Sequence, residues 1–260
     1  MSGLDVRMFT VGPVQENAYI VRRDAAARRA LLVDPGEEPE RLLQAIGGLD
    51  VEIEAILITH CHFDHIGAVA PLARATGAPV YCPQIEAPLL RDIMVWTPPG
   101  FGPFQSWEPE HTLAGGERLG LAGLDIEVLF TPGHSPGHLT YAIAPAAEDA
   151  PADGGSAPTA GAGSPGDDEL VPAVDAVALL SGDVLFQGSV GRTDLPGGDG
   201  AVLARSIAEL VRRFAGETTI YPGGQGATIY PGHMGVTTVG RELQTNPFLA
   251  DLRESAAVGR

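Results

Sequence analysis

The sequence predicts an α/β protein in which strands and helices pack in layers, and two observations lead to this fold class. Short apolar runs recur along the chain, each of a length suited to one buried strand, and segments with apolar residues at helical spacing lie between them. Hydrophobic residues make up 44% of the 260 residues and charged residues 19%, a balance that allows a full core. We therefore expect one domain that spans residues 1–260.

The apolar runs define the expected strands. Residues 30–33 predict a strand that ends at a turn formed by the Asp-Pro-Gly sequence at 34–36. Further strands are predicted at residues 53–59, 79–82, 125–131, 176–181 and 228–230. Helical spacing predicts a short helix around Leu42, Leu43 and Ile46, a second over residues 66–75, and a third with its apolar face at Leu203, Ile207, Leu210, Val211 and Phe214.

Residues 145–175 break this pattern. The segment consists of Ala, Gly, Pro, Ser and acidic residues, with very few large apolar side chains. Such a composition cannot bury enough surface to offset the entropy of ordering, so we interpret the segment as a disordered insertion. The alternative interpretation is a substrate lid.

A six-residue sequence is almost repeated near the end of the chain. Thr-Ile-Tyr-Pro-Gly-Gly at 219–224 is followed by Thr-Ile-Tyr-Pro-Gly-His at 228–233, and only the second copy carries a histidine. We expect the second copy to supply the strand, because its histidine can bind a metal, and residues 219–226 to form an extra surface loop or a lengthened connection.

Composition disfavours several classes of function. The formal net charge of −17 repels nucleic acid and anionic lipid, so neither is an expected partner. No apolar run is long enough to span a bilayer, and the first residues lack the pattern of a secretory signal. The two cysteines, Cys61 and Cys82, give no disulfide framework, and Cys82 is expected to pack in the core. We expect a cytoplasmic protein.

The sequence Thr-His-Cys-His-Phe-Asp-His at 59–65 carries the strongest chemical signal. It places His60, His62, Asp64 and His65 directly after an apolar strand, where their side chains can converge. Imidazole nitrogen and carboxylate oxygen suit zinc, iron and manganese. Surface histidines or histidines packed in a core are the alternative, but burying so many titratable groups without a metal would be costly. The motif therefore predicts a metal site.

Three more candidate ligands each follow a predicted strand. His134 ends a Pro-Gly-His turn, Asp183 follows Ser-Gly, and His233 ends a second Pro-Gly-His turn. Ligands delivered from several strand ends would form a site on rigid elements.

Other polar residues near these motifs are expected to support the site. His138 is expected to make structural hydrogen bonds, and His111 to lie solvated in a polar loop. Asp34 has two alternative roles, one as a partner that orients a metal ligand and one as a simple turn residue. Arg192 and Asp194 are expected to pair with each other and to fix their loop.

The order of these motifs resembles the metallo-β-lactamase superfamily. His-Cys-His-Phe-Asp-His is followed by Pro-Gly-His, Gly-Asp and a second Pro-Gly-His. Within the superfamily, Leu-Phe-Gln-Gly-Ser-Val-Gly-Arg-Thr-Asp at 185–194, Thr-Asn-Pro-Phe-Leu at 245–249 and Gly-Pro-Val-Gln-Glu-Asn-Ala-Tyr at 12–19 resemble the glyoxalase II group. The resemblance implies a four-layered αββα sandwich with the metals at one edge of its two sheets.

The resemblance also implies a division of the ligands between two divalent metal ions, with zinc expected and iron or manganese as alternatives. One ion would be held by His60, His62 and His134, and the other by Asp64, His65 and His233, with Asp183 bridging both. The implied function is hydrolysis of S-D-lactoylglutathione or a related 2-hydroxyacyl thioester, a small-molecule substrate. Asp64 and Asp183 would act together with a water shared by the metals.

Two departures from the glyoxalase II pattern bear on the substrate. The chain continues only shortly beyond residues 245–249, so the helical domain that binds glutathione in longer members is not expected. Met234 stands where the family usually has glycine after the last Pro-Gly-His. The rival functions are a persulfide dioxygenase with a single iron and an RNA-processing nuclease of the same fold. A β-lactamase is disfavoured because those enzymes lack an aspartate like Asp183.

Overall fold

The computed structural model describes residues 3–146, 169–170, 177–214 and 227–252. The strands are β1 (Asp5–Val11), β2 (Glu16–Arg22), β3 (Arg29–Val33), β4 (Glu52–Leu57), β5 (Val80–Pro83), β6 (His111–Leu113), β7 (Arg118–Leu121), β8 (Leu124–Phe130), β9 (Leu139–Pro145), β10 (Glu169–Leu170), β11 (Ala178–Gly182), β12 (Leu185–Phe186), β13 (Ser189–Val190), β14 (Thr228–Pro231) and β15 (Thr237–Thr238). The helices are α1 (Pro39–Leu49), α2 (Phe63–Ile66), α3 (Val69–Thr76), α4 (Ala87–Arg91), α5 (Gly200–Phe214) and α6 (Val239–Thr245).

Two large sheets contain most of the strands. The first has the order β10-β1-β2-β3-β4-β5-β6, and its strands from β3 to β6 run parallel to one another. The second has the order β15-β14-β11-β9-β8-β7, with β11 and β14 parallel and the other pairs antiparallel. Strands β12 and β13 form a separate hairpin.

Three apolar clusters show how the layers stack. The first joins the outer face of the first sheet to α1, α3 and α4, for example at Ile56, Leu42 and Leu72. The second fills the space between the two sheets, and the third joins the second sheet to α5 and α6. Helices therefore cover the outer faces of two stacked sheets. This arrangement confirms the predicted αββα sandwich.

The strand directions bring the candidate ligands to one edge of the sandwich. Strands β3 and β4 are parallel, so the residues after them emerge together. In the second sheet, β11 and β14 are parallel. Strand β8 runs in the same direction as β11 because both are antiparallel to β9. The segments that follow β3, β4, β8, β11 and β14 thus leave the sheets at neighbouring strand ends.

The predicted helix at residues 66–75 is divided in two, and this is a correction. The backbone N–H of Ala68 donates to the carbonyl of Pro35 at 3.0 Å, so it does not continue the helical ladder. A side chain on Gly67 would collide with the carbonyl of Gly36 and the ring of Phe104. The interruption lets the loop after β3 lie against α2.

The other predicted helices and strands are present, with ends shifted by one to three residues. In the predicted insertion at 145–175, the structure describes residues 145 and 146 and the strand β10, and the remainder lies outside the described residues. The second copy of the repeat forms β14 as predicted, whereas residues 219–226 are not described. Among the described helices, none combines the length and the apolar character needed to cross a bilayer.

A candidate metal centre

Three histidine rings converge at the ends of β4 and β8. Nε2 of His60 lies 3.1 Å from Nδ1 of His62. Nε2 of His134 lies 3.2 Å from the His60 nitrogen and 2.9 Å from the His62 nitrogen. His60 and His134 are buried, and His62 is half-buried. We refer to these three residues as the first cluster.

Hydrogen bonds on the far side of two of these rings fix where their protons lie. The Thr59 hydroxyl donates to Oδ2 of Asp34 at 2.6 Å, so it accepts from Nδ1 of His60 at 3.1 Å. Nδ1 of His134 donates to the carbonyl of Arg192 at 2.8 Å. A neutral imidazole carries one proton, so both Nε2 atoms point lone pairs at each other. A cation between them would turn this repulsion into coordination.

A second cluster consists of Asp64, His65 and His233. Nε2 of His233 lies 3.3 Å from Oδ2 of Asp64, and Nε2 of His65 lies 4.0 Å from the same oxygen. Nδ1 of His233 donates to the carbonyl of Gln15 at 3.1 Å, so its Nε2 is again the nitrogen free to bind a metal. The two clusters match the two ligand groups implied by the sequence.

Asp183 lies between the two clusters. Its Oδ2 is 3.5 Å from Nε2 of His134 in the first cluster and 3.7 Å from Nε2 of His233 in the second. Its Oδ1 is 3.5 Å from Nε2 of His65. One carboxylate therefore faces both groups of nitrogens, which is the geometry required of a bridging ligand.

The electrostatics of the site favour positive charge near the carboxylates. Burial, followed by the effect of neighbouring histidines, lowers the pKa of His60 well below its usual value and that of His62 to about 4. Burial would also lower the pKa of His65, but the carboxylate of Asp183 raises it well above its usual range. Burial opposes ionisation of Asp183, yet His65 and His134 hold the pKa of that carboxyl well below its ordinary value.

Unpartnered atoms test whether these residues fit a metal. Among the described residues, Nε2 of His65 and Oδ1 of Asp183 are buried and have no hydrogen-bond partner. A buried polar atom without a partner is costly, and both atoms are of the kind that bind divalent cations. The donor set therefore fits two metal ions. Ligation itself remains a prediction.

Asp34 is placed to orient the candidate ligands His60 and His65. Its carboxylate accepts from the backbone N–H of Thr59 at 2.7 Å, from the Thr59 hydroxyl, and from Nδ1 of His65 at 3.0 Å. Its oxygens lie close enough to His60 and His65 to form a third potential metal group. We discount this group because the nearby Nδ1 atoms already donate to oxygen. Of the two roles left open by the sequence, the geometry supports the orienting one.

The motif at residues 12–19 holds the loop that carries His233. Nδ2 of Asn17 donates to the carbonyls of Pro231 and Met234 at 3.1 and 2.9 Å. The hydroxyl of Tyr19 donates to the same Pro231 carbonyl at 2.6 Å. Together with the contact from the Gln15 carbonyl, these bonds fix both the loop and the ring orientation of His233.

The remaining polar candidates behave mostly as expected. Nε2 of His138 accepts from the backbone N–H of Asp183 at 3.1 Å, so this histidine is a structural hydrogen-bonder. Arg192 and Asp194 form two hydrogen bonds of 2.6 and 2.7 Å with each other. His111 is exposed, but it lies in strand β6 and stacks on Tyr81, which corrects the expected polar loop.

Glu86 is a site residue that sequence reasoning missed. Its buried carboxylate accepts from the backbone N–H of Cys61 at 2.6 Å and from that of Gly137 at 2.8 Å. It also accepts from the hydroxyl of Ser135. These contacts join the loop of His60 and His62 to the loop of His134. The available signal was an acidic residue shortly after β5, at the same edge of the sheet.

The two cysteines are buried thiols. Cys61 turns away from the first cluster into the core beside α3, and its Sγ lies 3.5 Å from Sγ of Cys82. Cys82 packs in the same cluster, as expected.

Glu16, which sequence reasoning also missed, is fully buried with Oε1 3.7 Å from Nδ1 of His65. Burial raises the pKa of Glu16 well above its ordinary value, which favours a neutral carboxyl group.

A cavity of about 840 Å³ opens onto both clusters. Its floor includes His62, Asp64, His134, Asp183 and His233, and most of its remaining described lining is apolar. A cavity of this size suits a small-molecule substrate.

Comparison with known proteins identifies similar sequences over nearly the whole chain. A family model described as "Metallo-beta-lactamase superfamily" matches residues 11–146. The chain is 34% identical over 248 residues to "Probable metallo-hydrolase YqgX" of Bacillus subtilis, covering 94% of this chain and 96% of that protein. It is 30% identical over 249 residues to "Hydroxyacylglutathione hydrolase GloC" of Haemophilus influenzae, covering 95% and 98%.

Solved structures share the fold. The BLEG-1 B3 metallo-β-lactamase is 31% identical, with a TM-score of 0.71 and coverage of 94% of this chain and 99% of that one. TTHA1623 in a di-iron-bound form is 35% identical, with a TM-score of 0.62 and coverage of 93% and 99%. ETHE1 from Myxococcus xanthus, at 22% identity and a TM-score of 0.63 over 95% and 84%, shows the fold alone.

Proposed function

The chain belongs to the metallo-β-lactamase superfamily, and from this premise we propose that it is a metal-dependent thioester hydrolase. The substrate would be S-D-lactoylglutathione or a related 2-hydroxyacyl thioester, and the products a hydroxy acid and a free thiol. The observation that carries the proposal is the position of Asp183, whose two oxygens face both clusters of ligands.

Two divalent cations, when bound, would supply Lewis acidity to a shared water and to the thioester carbonyl. His60, His62 and His134 would hold one cation, and Asp64, His65 and His233 the other. Asp183 would keep the cations close together by offsetting their repulsion.

The protein side of the mechanism rests on orientation. Asp64 lies at the cavity floor, where its Oδ2 can accept a hydrogen bond from the attacking water. This hydrogen bond would direct a lone pair of the water at the carbonyl carbon of the thioester. Asp34 fixes the ring of His65, and the carbonyl of Gln15 fixes the ring of His233. A thiolate leaves more readily than an amine because the pKa of a thiol is only about 8.5, so departure needs no strong general acid.

The similarity to a hydroxyacylglutathione hydrolase supports this choice of reaction within the superfamily. Two further functions remain rivals. A persulfide dioxygenase with a single iron would need only the first cluster and Asp183, and it would leave the second cluster without a role. An RNA-processing nuclease is disfavoured by the net charge of −17.

We propose zinc as the metal, with iron as the main alternative because a relative of 35% identity is described in a di-iron-bound form. We also propose that the protein acts in the cytoplasm, where the neighbouring thiols of Cys61 and Cys82 stay reduced.

The function is tested by assaying thioester hydrolysis alongside metal analysis of the purified protein. We expect about two metal ions per chain and turnover of S-D-lactoylglutathione or another lactoyl thioester. His62→Ala and Asp64→Ala should each reduce turnover by orders of magnitude, because the nucleophile depends on both cations. If thioesters are inert while glutathione persulfide drives oxygen consumption, the dioxygenase is the correct function.

A further inference from the structure

The walls of the cavity above the metal centre are apolar and open to solvent. Three large side chains in its lining are unusually exposed for their type: Ile85 at 57%, Trp96 at 54% and Met234 at 54%. They come from separate segments, one after β5, one after α4 and one after β14. Exposed apolar surface that converges on one cavity indicates a ligand that covers it.

Met234 adds an independent indication. Its backbone lies in the left-handed region with φ of 68°, a conformation that favours glycine and costs free energy for a side chain such as methionine. Backbone strain of this kind persists where the surrounding structure or the function requires it. Here the backbone is held by the hydrogen bond from Asn17 to the Met234 carbonyl, and the side chain lines the cavity.

The charges of the cavity are poorly suited to a charged thiol carrier. Apart from the histidines, Arg192 is the only basic residue in the described lining, and its guanidinium group forms two hydrogen bonds with Asp194. Outside the proposed metal ligands, the acid in the described lining is Glu86, whose carboxylate already accepts three hydrogen bonds from the neighbouring loops. Glutathione carries two carboxylates and one ammonium group at neutral pH. Tight recognition of two carboxylates needs basic partners such as free arginines.

On the basis of the proposed function, we infer that the preferred substrate is a thioester with an apolar, uncharged arm, seated against Ile85, Trp96 and Met234. A glutathione thioester would be cleaved less efficiently. The apolar arm could belong to the acyl group or to the thiol, because either end of a thioester can point away from the metal centre. The chemistry of recognition is the same in both cases.

Kinetics on a matched series tests this inference. One set consists of 2-hydroxyacyl thioesters of the uncharged thiol N-acetylcysteamine with acyl chains of increasing length. The other consists of lactoyl thioesters of alkyl thiols and of glutathione. We expect kcat/KM to rise by up to about fourfold per methylene in the arm that enters the cavity, the factor for full burial of one methylene. The set that shows this rise identifies that arm.

The opposite outcome of the kinetics would overturn the inference. That outcome is a glutathione thioester cleaved at least tenfold more efficiently than its N-acetylcysteamine counterpart, with no effect of chain length. If no thioester of either set is cleaved, the proposed function fails, and binding alone then decides the inference.

The binding test uses calorimetry with two thioethers that cannot be hydrolysed, S-hexyl-N-acetylcysteamine and S-hexylglutathione. Both carry the same apolar arm, so their difference reports on the charged tripeptide of glutathione. We expect the uncharged compound to bind at least as tightly as the glutathione compound. Tenfold tighter binding of S-hexylglutathione would overturn the inference, whatever the kinetics show.

Substitutions test whether Ile85, Trp96 and Met234 contact the apolar arm of the ligand. Trp96→Ala and Ile85→Ser should each weaken binding of S-hexyl-N-acetylcysteamine several-fold. The matched control is Phe130→Ala, since Phe130 is a 47% exposed aromatic residue outside the cavity lining. Met234→Gly should weaken binding while raising the melting temperature, because glycine relieves the strained backbone. Equal effects of the cavity variants and the control would contradict the inference.

Discussion

Oδ2 of Asp34 accepts a hydrogen bond from Nδ1 of His65 at 3.0 Å, so the loop after β3 fixes the ring of a proposed metal ligand that follows β4. Asp34 has a positive φ of 46°, which asparagine tolerates, so Asp34→Asn preserves the backbone. The substitution places a weaker acceptor or an amide N–H opposite His65. We expect metal affinity to fall by about 10- to 100-fold, as for other outer partners of ligating histidines. Competition with a fluorescent chelator measures the change.

Thr59→Val is the companion variant because it removes the hydroxyl that links Asp34 to His60 and keeps the side-chain shape. If neither substitution changes metal affinity, the hydrogen bonds that join Asp34 and Thr59 to the histidines have no role in metal binding.

A second prediction concerns the carboxylate between the clusters. Without Asp183, two cations at close range would repel each other with no anion from this position to offset the repulsion. We expect Asp183→Ala to lower metal content below two ions per chain and to lower turnover in parallel. Mass spectrometry of the native protein counts the ions. Retention of both ions and full activity would contradict the bridging role.

Glu86 provides a third prediction. Its two oxygens accept three hydrogen bonds from the loops that carry the first cluster. In Glu86→Gln, the side chain has only one oxygen. At least one of the buried donors would then face the NH2 group of the glutamine. We expect a loss of about 1–3 kcal/mol in the free energy of unfolding and a reduced kcat. Urea denaturation and initial rates measure the two effects.

The control for Glu86 is Glu108→Gln, because Glu108 is an exposed acid that pairs with Arg91 at the surface. It should change neither stability nor rate. If Glu86→Gln also leaves both unchanged, the link between the two loops is not needed for the site.

The convergence of the candidate ligands could be predicted because each of their motifs follows an apolar strand; metal binding by these residues stays a prediction. The αββα fold followed from the resemblance in motif order, and the helix at 66–75 was misjudged only where Ala68 donates to Pro35. The hairpin of β1 and β2 was not predicted. Its second strand is buried over its full length but contains Glu16, Asn17 and Arg22, so its sequence lacks a simple apolar pattern.

The polar residues of β2 are buried for reasons that only the tertiary structure reveals. Arg22 pairs with the buried Asp5 on the neighbouring strand, and Asn17 binds carbonyls on the loop more than 200 positions away. Glu86 escaped sequence reasoning for the same reason, since its partners come from two distant loops. Hydrogen-bond networks of this kind leave no periodic signal in the sequence.

Metal removal should destabilise the fold, which is the fourth prediction. The apo protein would leave Nε2 of His65 and Oδ1 of Asp183 buried without a hydrogen bond, and the lone pairs of the first cluster would face each other. Metal at about 1,000 times its dissociation constant stabilises a protein by roughly 4 kcal/mol. For a domain of this size, the melting temperature should fall by roughly 8–16 °C on chelation. Differential scanning calorimetry with and without chelator measures it, and an unchanged melting temperature would contradict metal binding by the native state.

The last prediction separates the two metal positions by means of Asn17, whose Nδ2 donates to the loop of His233 in the second cluster. Asn17→Ala removes the hydrogen bonds to the carbonyls of Pro231 and Met234 and should let that loop move. We expect the second cluster to lose its metal while the first keeps its own, so that the content falls from about two ions toward one. Tyr19→Phe, which removes one bond to Pro231, should act in the same direction but more weakly.

Thr245→Ala is the control for Asn17, because it removes an exposed side-chain hydrogen bond in α6. Metal titration of the three variants under identical conditions distinguishes the outcomes. Loss of both ions in Asn17→Ala would mean that the clusters bind their metals cooperatively. Retention of both ions would mean that His233 does not depend on this support, and that the ring is held well enough by the carbonyl of Gln15.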